Sequence, residues 1–384
     1  MGSDNSLSSN LGDGTRIVLF ILPSLAGGGA ERTFVNIANH LDRKRFRPVV
    51  SFFRKEGPFL DLLHEDVELR PLECSRARLS VLRLAQLIRA LQPHVVFSTL
   101  RYVNAAAVLS GVLARTRAGV LVNETNHWTA AGVKTGSWRE QLVRWSYYRA
   151  RKVVAMSNGV REDVIRRYGI PPEQVVTIYN PIDLSEIAQL MQDPVDALGF
   201  GENAEREKHF QIIAAGALER QKGYDLLIKA VARLNHIPYQ LSILGEGSQE
   251  KNLKKLAQDL RIEDRVRFMG FQKNPYAWMA RSDLFVLSSR WEGFGNVIVE
   301  AMACGVPVLA ARCPAGPDEI ISNDADGCLC EPESVDALAY YIEELWRDPE
   351  RRSRYARVAQ ESVRRFDVGI IVRDYERLFC EVAP

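Results

Sequence analysis

The sequence predicts an α/β protein made of two doubly wound parallel sheets facing each other across a cleft. Three observations predict it. Short apolar runs alternate with stretches of helical period, strand after helix after strand, twice along the chain. An acidic, polar and weakly periodic stretch, residues 183–207, separates the two series. The length, 384 residues, suits about two domains.

In the first unit, Arg16–Leu22 reads as a buried strand that runs through Pro23–Gly29 into a helical pattern over Ala30–Leu41. Pro48–Phe53, Val95–Ser98, Gly119–Asn123, Val153–Ser157 and Val175–Tyr179 read as further strands. Leu79–Leu91 and Arg139–Arg151 read as helices between them. In the second unit the strands are Phe210–Ala214, Tyr239–Leu244, Val266–Gly270, Leu284–Ser288, Val306–Ala310 and Cys328–Cys330. Its helices fall near Tyr224–Leu234, Glu250–Leu260, Asn274–Ala280, Val297–Ala303 and Val335–Asp348. The expected domains are therefore 16–182 and 208–366, with a loose tail over 1–15 and a linker over 183–207. Open sheets of this kind bind ligands at the carboxyl ends of their strands, so the cleft is where a site belongs.

Composition narrows the function. Hydrophobic residues make up 46% and charged residues 26%, which excludes a disordered chain, a collagen-like repeat and a small disulfide scaffold. No apolar run reaches the roughly 18 residues a membrane span needs. The polar start of the chain has no apolar signal-peptide core. Cys74, Cys304, Cys313, Cys328, Cys330 and Cys380 match neither a zinc spacing nor a disulfide framework. Reduced thiols in a cytoplasmic protein are expected.

Charge is unevenly placed. Residues 1–180 hold 25 Lys and Arg against 15 Asp and Glu, a net +10, while the remainder is −8. An arginine-rich half suits phosphates or anionic lipid, because the guanidinium fork pairs with phosphate oxygens. Nucleic acid is the rival partner. It is disfavoured, because no zinc finger, RNP-like aromatic motif or basic heptad helix is present.

Two glycine-bearing turns carry the chemistry. Gly27-Gly28-Gly29-Ala30-Glu31 follows the first strand and opens a helix, so backbone N–H groups can meet an anion there. The loop is neither G-x-G-x-x-G nor a P-loop, which disfavours a dinucleotide dehydrogenase or an ATPase. In the second unit, Glu292-Gly-Phe-Gly-Asn-Val-Ile-Val-Glu300 sits where Leu284–Ser288 passes into a helix. Gly293 and Gly295 let the backbone approach a ligand, and the amides of Phe294, Gly295 and Asn296 face it. A carboxylate accepts hydrogen bonds from two adjacent sugar hydroxyls, so one Glu suits a hexose and the other a ribose. Asp324-Ala325-Asp326 reads D-x-D but lies in a polar turn, and no metal site is assigned to it.

Ser289–Val308 resembles the E-x7-E signature of retaining GT-B glycosyltransferases of family four, the group 1 glycosyltransferases, and the resemblance runs along nearly the whole chain from Arg16. Leu25–Arg32 is similar to that family's glycine-rich loop. Ala155–Val164 and Ile178–Asp183 are similar to its segments before the linker. Gly216–Ala230, Leu244–Ser248 and Val266–Phe271 are similar to its nucleotide-side segments.

The resemblance implies a GT-B fold of two Rossmann-like domains. It implies that Glu292, with Phe294, Gly295, Asn296 and Val297 beside Gly293, holds the donor hexose, and that Glu300 holds the ribose. Lys222 would neutralise the diphosphate, Gly28, Gly29 and Gly216 would lie against it, and the base would sit near Gly270 and Phe271. Glu319 would touch the donor. Ala217 stands where the family has Arg, so either Arg220 reaches in or one cation suffices. Either His127 or Thr125 fills the family's histidine position. Glu124, Asn126 and Arg101 are candidate acceptor contacts. Residues after about Asp367 would cross back onto the first domain. No cofactor and no metal are expected.

On the acceptor side, three basic stretches interleave with apolar residues: Arg43–Lys55, Arg76–Arg89 and Arg139–Lys152. Such surfaces suit an anionic membrane, and the family adds sugars to lipid-linked glycans at the inner leaflet. Cys313–Ile321 resembles a subgroup acting in bacterial surface-polysaccharide assembly. The expected activity is transfer of a hexose or N-acetylhexosamine, from UDP in preference to GDP, to a hydroxyl of a lipid-linked saccharide. The protein would be cytoplasmic and peripheral on the inner membrane. A soluble enzyme acting on a small metabolite and a non-catalytic nucleotide-sugar-binding protein are the alternatives.

Overall fold

A computed structural model describes residues 14–25, 28–54, 57–72, 77–195 and 209–384. Most of the expected tail (1–13), Gly27 of the glycine loop, Cys74, the side chain of Arg78 and its neighbour Arg76, and the linker from 196 to 207 lie outside the described residues.

The first unit has strands β1 (Arg16–Leu22), β2 (Phe46–Phe52), β3 (Glu68–Leu69), β4 (Val95–Thr99), β5 (Gly119–Glu124), β6 (Lys152–Ala155) and β7 (Val175–Thr177). Its helices are α1 (Gly29–His40), α2 (Ala77–Leu91), α3 (Arg101–Ala114), α4 (Trp138–Arg149) and α5 (Asn158–Tyr168), followed by α6 (Leu184–Leu190) in the crossing to the second unit. The seven strands are all parallel, in the order β3-β2-β1-β4-β5-β6-β7. The chain therefore reverses its direction of winding between β1 and β4, and a ligand crevice opens there.

The second unit has strands β8 (Phe210–Ala215), β9 (Tyr239–Leu244), β10 (Val266–Phe268), β11 (Leu284–Leu287), β12 (Val308–Ala311) and β13 (Cys328–Cys330). Its helices are α7 (Tyr224–Val231), α8 (Glu250–Asp259), α9 (Tyr276–Met279), α10 (Asn296–Ala303), α11 (Pro317–Ile320), α12 (Val335–Arg347) and α13 (Pro349–Ser362). Its sheet is parallel, in the order β10-β9-β8-β11-β12-β13, with its own switch point between β8 and β11. Both sheets have apolar strands covered on each face, as the continuous Val, Ile and Leu runs dictate.

Side chains fix where helices begin. Ser137, Ser157 and Asp183 accept hydrogen bonds from the amides of Glu140, Val160 and Glu186, capping α4, α5 and α6. A last helix, α14 (Val368–Val382), lies on the first sheet rather than the second. Phe379 meets Phe20, Phe46 and Phe97 at ring separations of 6.2, 6.2 and 5.7 Å. Each such buried ring contributes about 1.5–3 kcal/mol by leaving water. The two crossings between units run side by side, since Ile182 donates to the Phe366 carbonyl (3.0 Å) and Val368 donates to that of Ile182 (2.8 Å). Among the described residues no helix is long and apolar enough to cross a membrane.

Candidate active site at the two switch points

The loops after β8 and β11 are stitched together. Gly216 (φ 142°) leaves β8, a short turn carries Arg220–Lys222, and Gly223 (φ 64°) opens α7. A β-carbon at Gly223 would strike the carbonyl of Ser288, so only glycine lets the two loops touch. Ser288 Oγ donates to the Lys222 carbonyl (3.0 Å), and Gln221 Nε2 donates to that of Trp291 (3.0 Å). Arg290 grips Asp225 with both terminal nitrogens at 2.8 Å.

This bracing presents Lys222 to Glu292. Lys222 Nζ lies 2.7 Å from Glu292 Oε1, and Ser289 Oγ donates to the same oxygen at 2.6 Å. Glu292 is buried, at 5% exposure. Both of its observed partners use Oε1. Gly295 (φ 96°) then starts α10, whose first amides point out of the helix. Glu300 lies one turn further on. Burial raises its carboxyl to about 7, although the nearby charges of Arg32 and Lys222 pull it down.

The first unit meets this helix start directly. Asn180 Nδ2 donates to Asn296 Oδ1 (2.7 Å), and Ser157 Oγ donates to the Gly293 carbonyl (2.6 Å). Gly29 sits against Asn296: a β-carbon there would lie 3.6 Å from Nδ2. Arg32, on α1, pairs with Glu186 on α6. The glycine loop of one unit thus faces the glutamate-flanked helix of the other. Val297 is half-buried in the first turn of α10. Gly270 (φ 65°) and the exposed Phe271 end β10 at the outer edge of the site, where Glu246 accepts from the Phe271 amide at 3.4 Å.

Several expected contacts have other partners. Glu319 is held by the first unit. Its two carboxylate oxygens accept from the amides of Asn158 (2.8 Å) and Gly159 (2.9 Å) at the start of α5, and Tyr179 donates to it at 3.2 Å. A carboxylate is favoured at a helix N-terminus, so Glu319 joins the two units. Phe294 is buried between Tyr179 and Phe366, at ring separations of 5.4 and 5.2 Å. Arg220 is exposed, its guanidinium 5.9 Å from the Trp291 ring centre.

The proposed acceptor residues build a loop instead of lining a surface. Glu124 is 1% exposed and accepts from the amides of Thr125 and Asn126 and from the Tyr147 hydroxyl (2.6 Å). Burial raises its carboxyl. Arg101 is bound to Glu140 and Tyr168 and stacks on Trp128 at 4.6 Å. Asn126 Oδ1 accepts from the His127 amide (3.0 Å). His127 Nδ1 accepts from the Ala130 amide (3.1 Å), 3.8 Å from Asp163. It is the Thr125 carbonyl that touches the second unit, against Gly293.

Sequence reasoning did not assign roles to Asn180, Ser157, Tyr179 or Arg32. Asn180 falls in the family-like segment Ile178–Asp183, and what brings it to Asn296 is the packing of one unit on the other. In the D-x-D turn, Asp324 pairs with Arg351 (2.7 Å) and Asp326 accepts from the Ser322 amide (2.7 Å). Among the described residues no group of three or more His, Cys, Asp or Glu could hold a metal ion.

Residues 27–186 match the family described as Glycosyltransferase Family 4, and residues 198–362 match Glycosyl transferases group 1. The chain is 31% identical over 233 residues to the N-acetylgalactosamine-N,N'-diacetylbacillosaminyl-diphospho-undecaprenol 4-alpha-N-acetylgalactosaminyltransferase of Campylobacter jejuni. That match spans 61% of each chain, less than two thirds of the relative's length. It is 28% identical to the lipopolysaccharide core biosynthesis glycosyltransferase LpsD of Rhizobium meliloti, over 92% of this chain and 95% of that one. The crystal structure of Anabaena Alr3699/HepE in complex with UDP-glucose superposes with a TM-score of 0.81 at 25% identity, covering 95% of this chain and 99% of the other. One family match falls on each sheet, and with two parallel-sheet units meeting at a glutamate-flanked helix the chain belongs to the family four, group 1 glycosyltransferases of GT-B fold.

Proposed function

We propose that the protein transfers a hexose or N-acetylhexosamine from a nucleotide sugar, UDP in preference to GDP, to a hydroxyl of a lipid-linked saccharide in bacterial glycan assembly. Transfer would retain the anomeric configuration and need no metal. The observation that carries the reading is the Lys222–Glu292 pair beside the open start of α10, opposite Gly28 and Gly29. In this reading Glu292 accepts hexose hydroxyls and Glu300 accepts the ribose hydroxyls. Lys222 leaves Glu292 Oε1 for the diphosphate as negative charge grows there, and the α10 amides share that charge. The acceptor oxygen bonds to the anomeric carbon and the carbon–phosphate-oxygen bond breaks. The diphosphate departs with that electron pair, and the acceptor proton passes to one of its oxygens. Phe271 offers a flat apolar edge to the base.

The UDP-glucose complex of HepE supports a uridine donor. The diphospho-undecaprenol named for the Campylobacter relative supports a lipid-linked acceptor. A thermal-shift screen across UDP-, GDP- and ADP-sugars tests the donor, since a bound ligand raises the melting temperature according to its affinity. NMR of the product made from the stabilising donor reads the anomeric configuration. Stabilisation by GDP-sugars alone, or an inverted product, would overturn the corresponding part.

A further inference from the structure

Two helices begin face to face across the cleft. Gly29, the first residue of α1, lies against Asn296, the first residue of α10. Each start carries unsatisfied amides and about half an elementary charge of positive sign. Like ends repel, so a negative group between them favours their meeting. On the α10 side, Glu292 is matched by Lys222. On the α1 side the negative group is Glu31.

Glu31 is the third residue of α1 and is 8% exposed. Among the described residues no cation pairs with it: Arg32, next along the helix, is bound to Glu186. Its carboxylate turns back onto its own amide and onto Gly28. A β-carbon on Gly28 would lie 2.3 Å from Oε2 and 3.3 Å from Cδ. Gly28 has φ −82°, an angle any residue adopts, so backbone strain does not call for glycine there. What the missing side chain makes room for is the carboxylate.

Burial raises the Glu31 carboxyl, against the pull of its own amide. A glutamate that only capped the helix could do so from the surface, in water. This one is held inside, in the seat where a helix start takes an anion. Burial and the Glu31 charge together raise the hydroxyl of Tyr102, which is 61% exposed in the first turn of α3. Glu31 therefore stands at the rim of the β1–β4 switch point, where a side chain can turn outward.

We propose that Glu31 is an internal stand-in for phosphate: it occupies the start of α1 in the ligand-free protein, and the diphosphate of the nucleotide donor displaces it. The proposal rests on the diphosphate position in the proposed function and adds to it an exchange of one anion for another. A phosphate oxygen against Gly28 and Gly29 needs the space and the amides that the carboxylate holds, and it brings like charge. Without ligand, the carboxylate lets the two positive helix ends pack together. With ligand, the diphosphate takes over that part, and Glu31 turns out past Tyr102 into water. The exchange runs in reverse when the nucleoside diphosphate product leaves.

An acidic residue in the first turn of a helix also serves simply to stabilise the helix. The two roles differ in sign, and calorimetric titration of the full chain with UDP separates them. Glu31→Gln keeps the shape and removes the charge. It should bind UDP about tenfold more tightly than wild type, the scale of one charge at a helix terminus. A purely stabilising role would leave UDP affinity equal or lower. Gly28→Ala fixes a methyl group in the seat and should weaken UDP about tenfold or more, with wild-type circular dichroism. A crystal structure with UDP should show the Glu31 carboxylate off Gly28 and a phosphate oxygen in its place. UDP affinity unchanged or reduced in Glu31→Gln, full affinity in Gly28→Ala, or Glu31 still seated on Gly28 with UDP bound would overturn the proposal. Binding of GDP in place of UDP by wild type would overturn the uridine reading and not this one, since the same two variants are then compared with GDP. No binding of any nucleoside diphosphate by wild type would overturn the proposed function itself.

Discussion

Gly293 lies so close beneath the carbonyl oxygen of Thr125 that a β-carbon at this position would overlap it, and would also come within 2.7 Å of Met156 Sδ. Thr125 belongs to the first unit and Gly293 to the second, so the contact depends on the two units packing together as they do here. Closure excludes water and completes the site. Gly293→Ala should therefore prevent closure without unfolding either unit. The expected outcome is a loss of transfer of about 10²-fold or more, with a larger radius of gyration by small-angle scattering in the presence of donor. Wild-type compaction in the variant would refute the steric argument.

The second closure contact is electrostatic. Both oxygens of Glu319 are occupied by amides of α5. Hydrogen bonds to a charged group contribute about 1.5–3 kcal/mol. Glu319→Gln, which keeps one acceptor oxygen and removes the charge, should shift the open–closed balance toward open by about tenfold. Fluorescence energy transfer between labels on the two units would read this directly, and donor stabilisation in a thermal shift should be little changed. A loss of donor affinity with no change in unit separation would instead place Glu319 on the donor.

Glu300 should set a pH dependence with opposite signs for stability and for binding. Its carboxyl ionises at about 7 in the folded protein against 4.5 ordinarily, chiefly because it is buried. Below pH 4.5 it is protonated folded or unfolded and costs nothing. Between 4.5 and about 7 the unfolded chain releases the proton while the folded protein keeps it, so stability falls as pH rises. Glu300→Gln should therefore match wild type in melting temperature near pH 4.5 and exceed it at pH 8. In the proposed function donor binding uses the carboxylate, so it should weaken as wild type is taken below pH 7, and the variant should lose that inflection while binding donor poorly throughout. Parallel pH profiles for the two proteins would contradict the assignment.

The sheets were legible because parallel strands covered on both faces are near-continuous apolar runs, as in Ile17–Leu22 of β1 and in β11 and β12. The helix α3 was not, because its Ala-rich, largely apolar sequence has little polar face to show a period. Strand β3, two residues long, is too short to show any pattern. At the site, the Glu292–Glu300 element could be read because glycines and carboxylates cluster within nine residues of sequence. The partners of Glu124 and Arg101 could not be read. Their chemistry suits an acceptor, but Tyr147, Glu140 and Tyr168, which claim them, are 23 or more residues away. Sequence shows what a side chain can bond. Which partner reaches it first is decided by packing.

Ala217 stands where the family has arginine, so either Arg220 reaches in or Lys222 alone meets the diphosphate charge, and the two side chains are held differently. Lys222 is held at the switch point by Glu292 and by the Ser288 hydroxyl on its carbonyl, whereas Arg220 lies exposed over Trp291. Lys222 is pre-placed and Arg220 would have to be drawn in, with loss of side-chain entropy. Lys222→Gln keeps a hydrogen-bond donor toward Glu292 and removes only the charge, so Glu292 is not left buried and unpaired. It should lower kcat by about 10²–10³-fold, the size expected when one preorganised charge-stabilising group is lost. Arg220→Gln should cost less than about tenfold, as an exposed charge does. Steady-state kinetics with the stabilising UDP-sugar decides the matter. If the Arg220 variant falls as far as the Lys222 variant, the arginine swings in to replace the missing one and two cations share the load.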